Sequence, residues 1–382
     1  MILIFTILFW LSFAVVLYSY TLYPLLLLLF VRLFGKPVQQ SSDYFPFIGV
    51  LVPAHNEERV IKKKIRNILS LNYPPDKLSV WIGSDCSTDK TETIVSTYPD
   101  KRVHLWVAPK RGGKTEILNR LAPEIEADII LFTDANTMHR SDCLKAIVRN
   151  FADPSVGGVA GHIEHARGSE DDSGEGIYRS FESRQKYMEG RLHSTISAFG
   201  GFYAIRKDVF RPIPFNSYSN DDVLIPMNVI RQGKRVIYEP EAVSEEENTG
   251  NVASEFSRRI RIGAGNFQAF FWLLDFLNPR KGWPAFCLIS HKFTRWFSPF
   301  FLLSGFISSG VLFFKSGIDL YRILFATGSL IFTAGMLHKV IPLRLTRHVF
   351  YFLVMNLALI IGLFRYCSGI RSAAWSRTER TE

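Results

Sequence analysis

Four short polar motifs in the middle of the chain carry residue types that bind cations and phosphate groups. Each follows an apolar run, and the motifs are Pro53-Ala54-His55-Asn56-Glu57-Glu58, Ser84-Asp85-Cys86-Ser87-Thr88-Asp89, Lys110-Arg111-Gly112-Gly113-Lys114 and Asp134-Ala135-Asn136. Carboxylate and amide oxygens are ligands for hard divalent cations, and a glycine-rich loop with a lysine can hold a phosphate. Asn56 or Ser87 alone could equally cap a helix, but four motifs in succession favour a shared binding site.

The elements between these motifs predict a mostly parallel sheet. Five apolar runs have the length of strands: Ile48–Val52, Leu78–Gly83, Val103–Val107, Asp128–Thr133 and Val156–Ala160. Four stretches between them are helical in pattern: Glu58–Ser70, Thr88–Tyr98, Thr115–Leu121 and Ser141–Phe151. Alternating strands and helices are typical of α/β folds, in which ligands bind beyond the carboxyl ends of the strands. The four motifs are therefore expected at one edge of the sheet.

A phosphate-binding P-loop is the rival interpretation of the third motif. Gly113-Lys114-Thr115 follows a predicted strand, and the run that ends at Asp134 could supply an acid for Mg²⁺, as in a membrane NTPase. However, Ala108 occupies the position of the first glycine of a P-loop, and Pro109 removes a backbone N–H from the phosphate cradle. This interpretation also gives the first two motifs no role.

From about Phe47 to Gln268 the chain resembles glycosyltransferase family 2. The first motif is similar to the opening motif of that family, and Gly112-Gly113-Lys114 followed by Asn119 is similar to its glycine–lysine stretch. The resemblance implies an α/β fold of the GT-A (Rossmann-like) type, a mostly parallel sheet domain flanked by transmembrane helices, and a nucleotide-sugar donor, with a UDP-sugar expected. It assigns the donor contacts to Pro53, Asn56, Glu57, Asp85 and Lys114, with Asp85 at the base and ribose.

Asp134-Ala135-Asn136 occupies the place of the D-x-D metal motif of that family. A nucleoside diphosphate is a poor leaving group until its charge is neutralised, which Mg²⁺ or Mn²⁺ does by bridging a carboxylate and the phosphate oxygens. The resemblance therefore implies that Asp134 and Asn136 ligate a divalent cation. Asn136 departs from the strict motif, so direct ligation by Asp134 alone stays open.

Two later motifs resemble the acceptor and catalytic motifs of the family. Gly200 and Gly201, within Phe199–Arg206, match the glycine-rich acceptor segment, although a tight turn before a strand is the alternative. Asp221 and Asp222 lie where the family carries its T-E-D motif, which implies that both are catalytic and that Asp222 is the general base of an inverting transfer. A solvated helix start is the alternative for this acidic pair.

Arg258-Arg259-Ile260-Arg261-Ile262 occupies the place of the Q-x-x-R-W motif of processive members. By that resemblance Arg258 and Arg261 bind the donor, and Arg261 holds the leaving diphosphate through charge-assisted hydrogen bonds. Ile262 replaces the tryptophan, so the chain departs from the pattern of polymer-making relatives. A basic amphipathic helix on an anionic membrane surface is the alternative. His162 and His165 have no further ligand at a suitable spacing and are interpreted as ordinary histidines of the surface or of the rim of the site.

Apolar runs near the two ends predict membrane helices. Met1 to Val31 contains no charged residue, which exceeds the roughly 20 residues that cross a bilayer. A signal peptide fits poorly, because no basic stretch precedes the run. The first cations are Arg32 and Lys36, so the positive-inside rule places residue 36 onward in the cytosol. Three shorter runs follow: Phe297–Phe314, Ile323–Leu337 and Val349–Phe364.

The predicted organisation is a catalytic domain between membrane segments. Its boundaries are a transmembrane helix at 1–34, a cytosolic GT-A domain at 45–268, an interfacial region at 269–292, about three transmembrane helices at 293–367 and a tail at 368–382. Four spans place the C-terminus outside, whereas the arginines of the tail favour the inside, and this question stays open. The expected location is the cell membrane, with several passes.

Composition limits the expected partners. The net charge of +10 is explained by cations beside membrane helices and around a diphosphate, so no nucleic acid partner is expected. The four cysteines have no paired spacing and are expected to be free thiols. Membrane helices joined to a transferase domain imply a lipid or polysaccharide acceptor. The leading interpretation is extracellular or capsular polysaccharide synthesis, and single-sugar transfer to a lipid is the alternative. A homo-oligomer or an export partner could complete the few spans, and an inactive membrane scaffold is the alternative from another class.

Overall fold

The computed structural model describes residues 1–165, 174–246, 252–341 and 343–369. The described residues fall into two compact units. The sheet unit lies within 30–169 and 183–254, and the apolar unit lies within 1–29, 170–182 and 255–368. The helix Gly174–Leu192 begins in the apolar unit and ends in the sheet unit.

The sheet unit is built on one mixed sheet. Its described strands are β1 Ile48–Ala54, β2 Leu78–Ser84, β3 Val103–Val107, β4 Ile129–Thr133, β5 Thr137–His139, β6 Val156–His165, β7 Phe202–Arg206 and β8 Arg235–Glu246. The strand order is β3-β2-β1-β4-β7-β6-β8-β5. Neighbouring strands are parallel from β3 through β4 and between β6 and β8, while β4–β7, β6–β7 and β5–β8 are antiparallel.

The α/β fold predicted from the sequence is confirmed, and so are the five predicted strands. The structure extends the fifth of them beyond Ala160, since β6 continues to His165. Two strands, β5 and β8, were not predicted, and β7 was expected only under the alternative in which Gly200-Gly201 forms a turn before a strand. β7 is antiparallel to β4. The chain after Gly200-Gly201 therefore runs away from the edge of the sheet at which β4 ends.

The helices of the sheet unit cover the sheet with apolar faces. They are Ile61–Leu69, Thr91–Ser96, Lys114–Glu124, Cys143–Val148 and Asp221–Arg231. In the first, Ile61, Ile65 and Ile68 recur at helical spacing and are fully buried, whereas Lys62 is exposed. Burial of this apolar stripe against β1 and its neighbours fixes the loops that precede each helix.

Helices make up most of the described part of the apolar unit, including the short 3-10 helices Leu274–Leu277 and Pro279–Lys281. The unit also contains Ile2–Leu17, Tyr18–Leu22 (π-helical), Tyr23–Phe34 as it enters the next unit, Val252–Trp272, Trp283–Cys287, Leu288–Phe293 (π-helical), Thr294–Lys315, Asp319–Met336 and Arg344–Cys367. Three continuous helical stretches of the described chain are long and apolar enough to cross a membrane: Ile2–Phe34, Trp283–Lys315 and Arg344–Cys367. The predicted run Ile323–Leu337 does form a helix, but it is not among these three, so the structure offers three candidate spans where the sequence predicts about four.

Replacing Gly83 by alanine is expected to destabilise the sheet unit by about 1–3 kcal/mol, as overpacking of a close-packed core does. Gly83 lies in β2, and a Cβ atom there would come within 2.2 Å of Cγ2 of Ile117 and 3.0 Å of Cδ1 of Leu121. Thermal melting of the detergent-solubilised chain measures the loss. In a Gly83→Ala/Ile117→Ala double variant the total loss should be smaller than the sum of the two single losses, because the clashing methyl group is gone. Additive losses would contradict this account of the packing.

Candidate active site

The buried carboxylate of Asp85 holds the glycine–lysine loop. Asp85 follows β2 and is fully buried, and its two carboxylate oxygens accept hydrogen bonds from the backbone N–H groups of Gly112 (2.7 Å) and Gly113 (3.0 Å). Gly113 has a φ of 85°, a conformation that favours glycine. Because a P-loop uses such backbone N–H groups to bind phosphate, their engagement with Asp85 counts against the NTPase interpretation.

Lys114 lies at the centre of the sequence motifs. Its ammonium group is 2.9 Å from Oδ1 of Asp134 and 3.2 Å from Oδ2 of Asp221, and it donates a hydrogen bond to the carbonyl oxygen of Gly200 at 3.2 Å. One side chain thus joins the glycine–lysine loop, the D-x-D-like motif, the glycine-rich segment and the acidic pair. These motifs lie up to about a hundred residues apart in the chain, and the sheet brings them together.

The charge of Lys114 is stabilised by these acids. Burial alone would lower the pKa of Lys114, but the negative charges of Asp134, Asp221 and Asp222 outweigh it and raise the pKa above its ordinary value. Lys114 is therefore a fixed positive charge at neutral pH. Asp134 is the more exposed of its two direct partners, with 36% of its side-chain surface accessible against 12% for Asp221.

The two acids at the start of the helix Asp221–Arg231 have different surroundings. Asp221 is buried and accepts a hydrogen bond from the hydroxyl of Tyr203 at 3.0 Å, in addition to its contact with Lys114. Burial and the neighbouring acids raise the pKa of Tyr203 well above its usual value, so it stays a donor. Asp222 is only partly buried, and its backbone carbonyl accepts a hydrogen bond from Ala198 at 2.7 Å. The sequence alternative of a fully solvated helix start is therefore wrong for Asp221.

The paired glycines lie against both acidic motifs. A Cβ atom at Gly200 would come within 3.7 Å of Oδ2 of Asp222, and one at Gly201 would come within 2.6 Å of Oγ1 of Thr137 and 3.6 Å of Oδ2 of Asp134. The close approach of Thr137 explains why position 201 lacks a side chain. The segment thereby places its backbone between Asp134 and Asp222.

The first two motifs are joined to each other. Asn56 has a φ of 55°, and its side-chain oxygen accepts a hydrogen bond from the backbone N–H of Thr88 at 2.7 Å. The backbone N–H of Glu57 donates to Oγ1 of Thr91 at 2.8 Å, and Glu57 is buried. Pro53 lies within β1 and is buried. The donor contacts predicted for these residues stay predictions.

The residues present fit a divalent cation that is bound together with a nucleotide. Within the described ranges, no group of three or more His, Cys, Asp or Glu side chains is arranged to hold a metal ion. Asp134 and Asp221 nevertheless face one shared cation, the ammonium of Lys114. Magnesium is commonly held by one or two carboxylates and the phosphates of a substrate, so these two carboxylates fit such an ion only together with a phosphorylated substrate. The side-chain nitrogen of Asn136 lies 3.5 Å from Oε1 of Glu246, and ligation by Asn136 stays a prediction.

Arg258 and Arg261 lie in the apolar unit, on the helix Val252–Trp272. Arg258 forms an ion pair with Glu255 at 3.3 Å. Their role at the diphosphate stays a prediction.

His162 contacts the hydroxyl of Tyr238 at 2.6 Å and Glu164 at 3.6 Å, while the side chain of His165 lies outside the described part of the chain.

Lys64 lies buried beneath the site. The sequence motifs did not predict this residue. Its ammonium is within hydrogen-bonding distance of Oγ1 of Thr133 (2.8 Å), the carbonyl oxygen of Thr137 and Nε2 of His139 (3.0 Å). These partners flank the Asp134 turn, whose backbone is closed by a Thr137 to Asp134 hydrogen bond of 3.3 Å. The available signal was a lysine on the apolar face of a helix, where an isoleucine would be expected.

Raising the pH from 7 to 10 is expected to stabilise the wild-type chain relative to a Lys64→Met variant. Burial lowers the pKa of Lys64 to about 7, against the opposing charge of Asp134, whereas an unfolded lysine titrates near pH 10.4. Between these values the unfolded chain binds more protons than the folded chain, so the free energy of unfolding rises with pH. Melting curves at several pH values measure the difference, and exposed Lys62→Met serves as the matched control. A gap between wild type and Lys64→Met that is independent of pH would contradict the lowered pKa.

Comparison with known proteins identifies the class of this domain. Residues 49–213 match the family model of glycosyl transferase family 2. β-Monoglucosyldiacylglycerol synthase of Nostoc sp. is 38% identical over 132 residues, which are 34% of this chain and 28% of that relative. Glycosyltransferase AglE of Haloferax volcanii is 21% identical over 248 residues, which are 63% of this chain and 79% of AglE. The chain thus spans less than a third of the length of the first relative.

A solved structure has the same fold over almost the whole chain. Mannosyltransferase PcManGT from Pyrobaculum calidifontis, in complex with GDP-Man and Mn²⁺, is similar with a TM-score of 0.71 and 22% identity, covering 94% of this chain and 99% of that one. Residues 49–213 therefore match glycosyl transferase family 2, and the chain has the GT-A fold, which confirms the resemblance found in the sequence.

Proposed function

We propose that this protein transfers a sugar from a nucleotide-sugar to a membrane-associated acceptor. The observation that carries the proposal is the contact of Lys114 with Asp134, Asp221 and the Gly200 carbonyl. It gathers a positive charge, two acids and a glycine-rich backbone segment at one place. Those are the groups that a transfer from an anionic donor requires.

The donor half of the reaction depends on charge neutralisation. Asp134, with Asn136 beside it, would hold Mg²⁺ or Mn²⁺, which when bound supplies a Lewis acid that neutralises the leaving diphosphate. Lys114 adds a fixed positive charge at the same place. Asp85 acts by holding Gly112 and Gly113, so it fixes the backbone position from which Lys114 extends.

Asp222 is proposed as the general base. Asp222 is partly exposed and lies beside Gly200, in the segment proposed to meet the acceptor, while its neighbour Asp221 is buried. A carboxylate in that position can take the proton of an acceptor hydroxyl as its oxygen attacks the anomeric carbon. The displacement is direct and inverting, and no covalent sugar intermediate is required.

A lipid acceptor that receives a single sugar is favoured over a growing polysaccharide. The relatives from Nostoc sp. and Synechocystis sp. are named as synthases of β-monoglucosyldiacylglycerol, a glycolipid. The three candidate membrane spans supply a setting in which a lipid can reach the enzyme. Ile262, at the position of the tryptophan of processive relatives, also points away from polymer synthesis.

The proposed location is the cell membrane, with several passes and the catalytic domain in the cytosol. Three spans, with residue 36 onward inside, return the chain to the inside after Cys367. The arginines of the tail favour three spans, whereas Lys339 and Arg344, which three spans place outside, favour four. A homo-oligomer or an export partner remains part of the polysaccharide alternative only.

A panel of nucleotide-sugars tests the proposed function. The purified full chain in membrane-lipid vesicles is offered labelled UDP- and GDP-sugars, with Mn²⁺ and with a chelator. We expect one donor to yield a metal-dependent, lipid-extractable product that carries a single sugar. A ladder of products would instead support the polysaccharide alternative. Failure of every donor to bind in the presence of Mn²⁺ would support the inactive scaffold.

A further inference from the structure

The ammonium group of Lys114 is surrounded by oxygen atoms of the kind that also bind metal ions. Its ammonium is bounded by Oδ1 of Asp134 at 2.9 Å, Oδ2 of Asp221 at 3.2 Å and the carbonyl oxygen of Gly200 at 3.2 Å. Carboxylate and carbonyl oxygens are the groups that a hard divalent cation also selects. The Lys114 ammonium therefore already occupies oxygen atoms that a divalent ion would need as ligands.

Two cations cannot use Asp134 in this way without strong repulsion. Like charges a few ångströms apart inside a protein repel by several times the thermal energy, and a divalent ion doubles the effect. Asp221 and Asp222 also lie near Lys114, but within the described residues no group of three His, Cys, Asp or Glu side chains is placed to hold a metal ion. A divalent ion at Asp134 thus requires either that Lys114 moves or that further negative charge arrives.

A nucleoside diphosphate would do both of these things. It would draw the Lys114 ammonium away from Asp134, and it would add negative charge. Its phosphate oxygens are partners for a lysine ammonium, and they are ligands for the divalent ion. The side chain of Lys114 retains 23% of its surface accessible, and the glycines that precede it are held by Asp85, so the side chain can turn while the loop backbone stays in place.

We propose that Lys114 is a placeholder cation, which holds Asp134 and Asp221 together in the free enzyme and gives up Asp134 to a divalent ion only when a nucleoside diphosphate binds. This inference rests on the proposed function. It makes the affinities for metal and nucleotide interdependent, and linkage requires that each ligand raises the affinity for the other by the same factor. The free enzyme is therefore expected to bind metal more weakly than the nucleotide-bound enzyme does.

Metal binding in the absence of turnover tests the proposal. Binding of Mn²⁺ to the detergent-solubilised full chain is measured by electron paramagnetic resonance, with and without UDP or GDP, and protein-free nucleotide is subtracted. For the wild type we expect the better nucleotide to increase Mn²⁺ affinity about tenfold or more, within the usual range of coupling between sites. Equal Mn²⁺ affinity with and without a nucleotide that binds would overturn the proposal.

Variants at position 114 give a second prediction, in which Mn²⁺ affinity rises without any nucleotide. Lys114→Met should bind Mn²⁺ about tenfold more tightly than the wild type when no nucleotide is present, because the competing charge is gone, although its nucleotide affinity falls. Lys114→Arg keeps the charge and should show no such gain, and exposed Lys110→Met is the matched control for the loop. A Lys114→Met chain that folds but gains no Mn²⁺ affinity would overturn the proposal. If no form of the chain binds Mn²⁺ or either nucleotide, the proposed function fails as well, and that outcome differs from loss of the coupling alone.

Discussion

Replacing Asp222 by asparagine is expected to lower kcat by about a thousandfold, while the affinity for the nucleotide-sugar stays within a few-fold of wild type. General base catalysis commonly contributes between a hundredfold and ten thousandfold, and an amide cannot accept the proton of the acceptor hydroxyl. The side chain is only partly buried and begins a helix, so the isosteric change should leave the fold intact. Initial rates at saturating donor and calorimetric donor binding measure the two quantities separately.

The neighbouring acids supply the controls for this prediction. Asp221→Asn removes a charge that contacts Lys114 and Tyr203, so it should weaken donor or metal binding more than Asp222→Asn does. Asp208→Asn changes an exposed acid of the same unit and should have no effect on either quantity. Near-normal turnover of a folded Asp222→Asn chain would show that another group takes the proton.

Replacing Asp134 by asparagine is expected to reduce kcat/KM for the donor by about a hundredfold to a thousandfold. The predicted loss follows from weaker neutralisation of the diphosphate, since a metal ion contributes several kcal/mol to stabilising charge in such a transition state. The Mn²⁺ concentration for half-maximal activity should rise at the same time. Activity titrated against Mn²⁺, at fixed donor, measures both effects.

Asn136→Ala separates direct ligation by both residues from ligation by Asp134 alone. If only Asp134 binds the ion, Asn136→Ala should change the Mn²⁺ requirement little, because the amide then serves mainly its contact with Glu246. If the amide oxygen is a ligand, the requirement should rise, but less than in Asp134→Asn, since an amide carries no charge. A larger effect at Asn136 than at Asp134 would contradict the assignment of the metal motif.

The sequence patterns predicted the parallel half of the sheet well because its signals are local. Each of β1 to β4 is a short apolar run bounded by a polar motif, and each following helix has an apolar stripe. The antiparallel half carries weaker signals. β7 follows two glycines that equally suit a turn, and β5 has three residues, so neither stands out from its neighbours.

The residues of the site were predictable by type, but their contacts were not. The motifs identified Asp85, Lys114, Asp134 and Asp222 as chemically important. Spacing along the chain could not indicate that Asp85 binds the backbone of the glycine–lysine loop, or that Lys114 joins Asp134 to Asp221. Such contacts depend on how distant strands are paired. Lys64 was missed because a lysine among other lysines on a short helix is usually solvated, whereas here it is fully buried.

The central claim is that Asp134, Lys114 and Asp222 surround one site at the edge of the sheet, where Asp134 and Lys114 hold the metal ion and the diphosphate and Asp222 takes the acceptor proton. A structure of the full chain with Mn²⁺ and the nucleoside diphosphate of the preferred donor, with the ion located by its anomalous scattering, tests this most directly. We predict Mn²⁺ coordinated by Asp134 and the diphosphate, Lys114 turned to the phosphate oxygens, and Asp222 facing the same space from the acceptor side. An ion bound elsewhere, or a nucleotide with no contact to Asp134 or Lys114, would contradict the account.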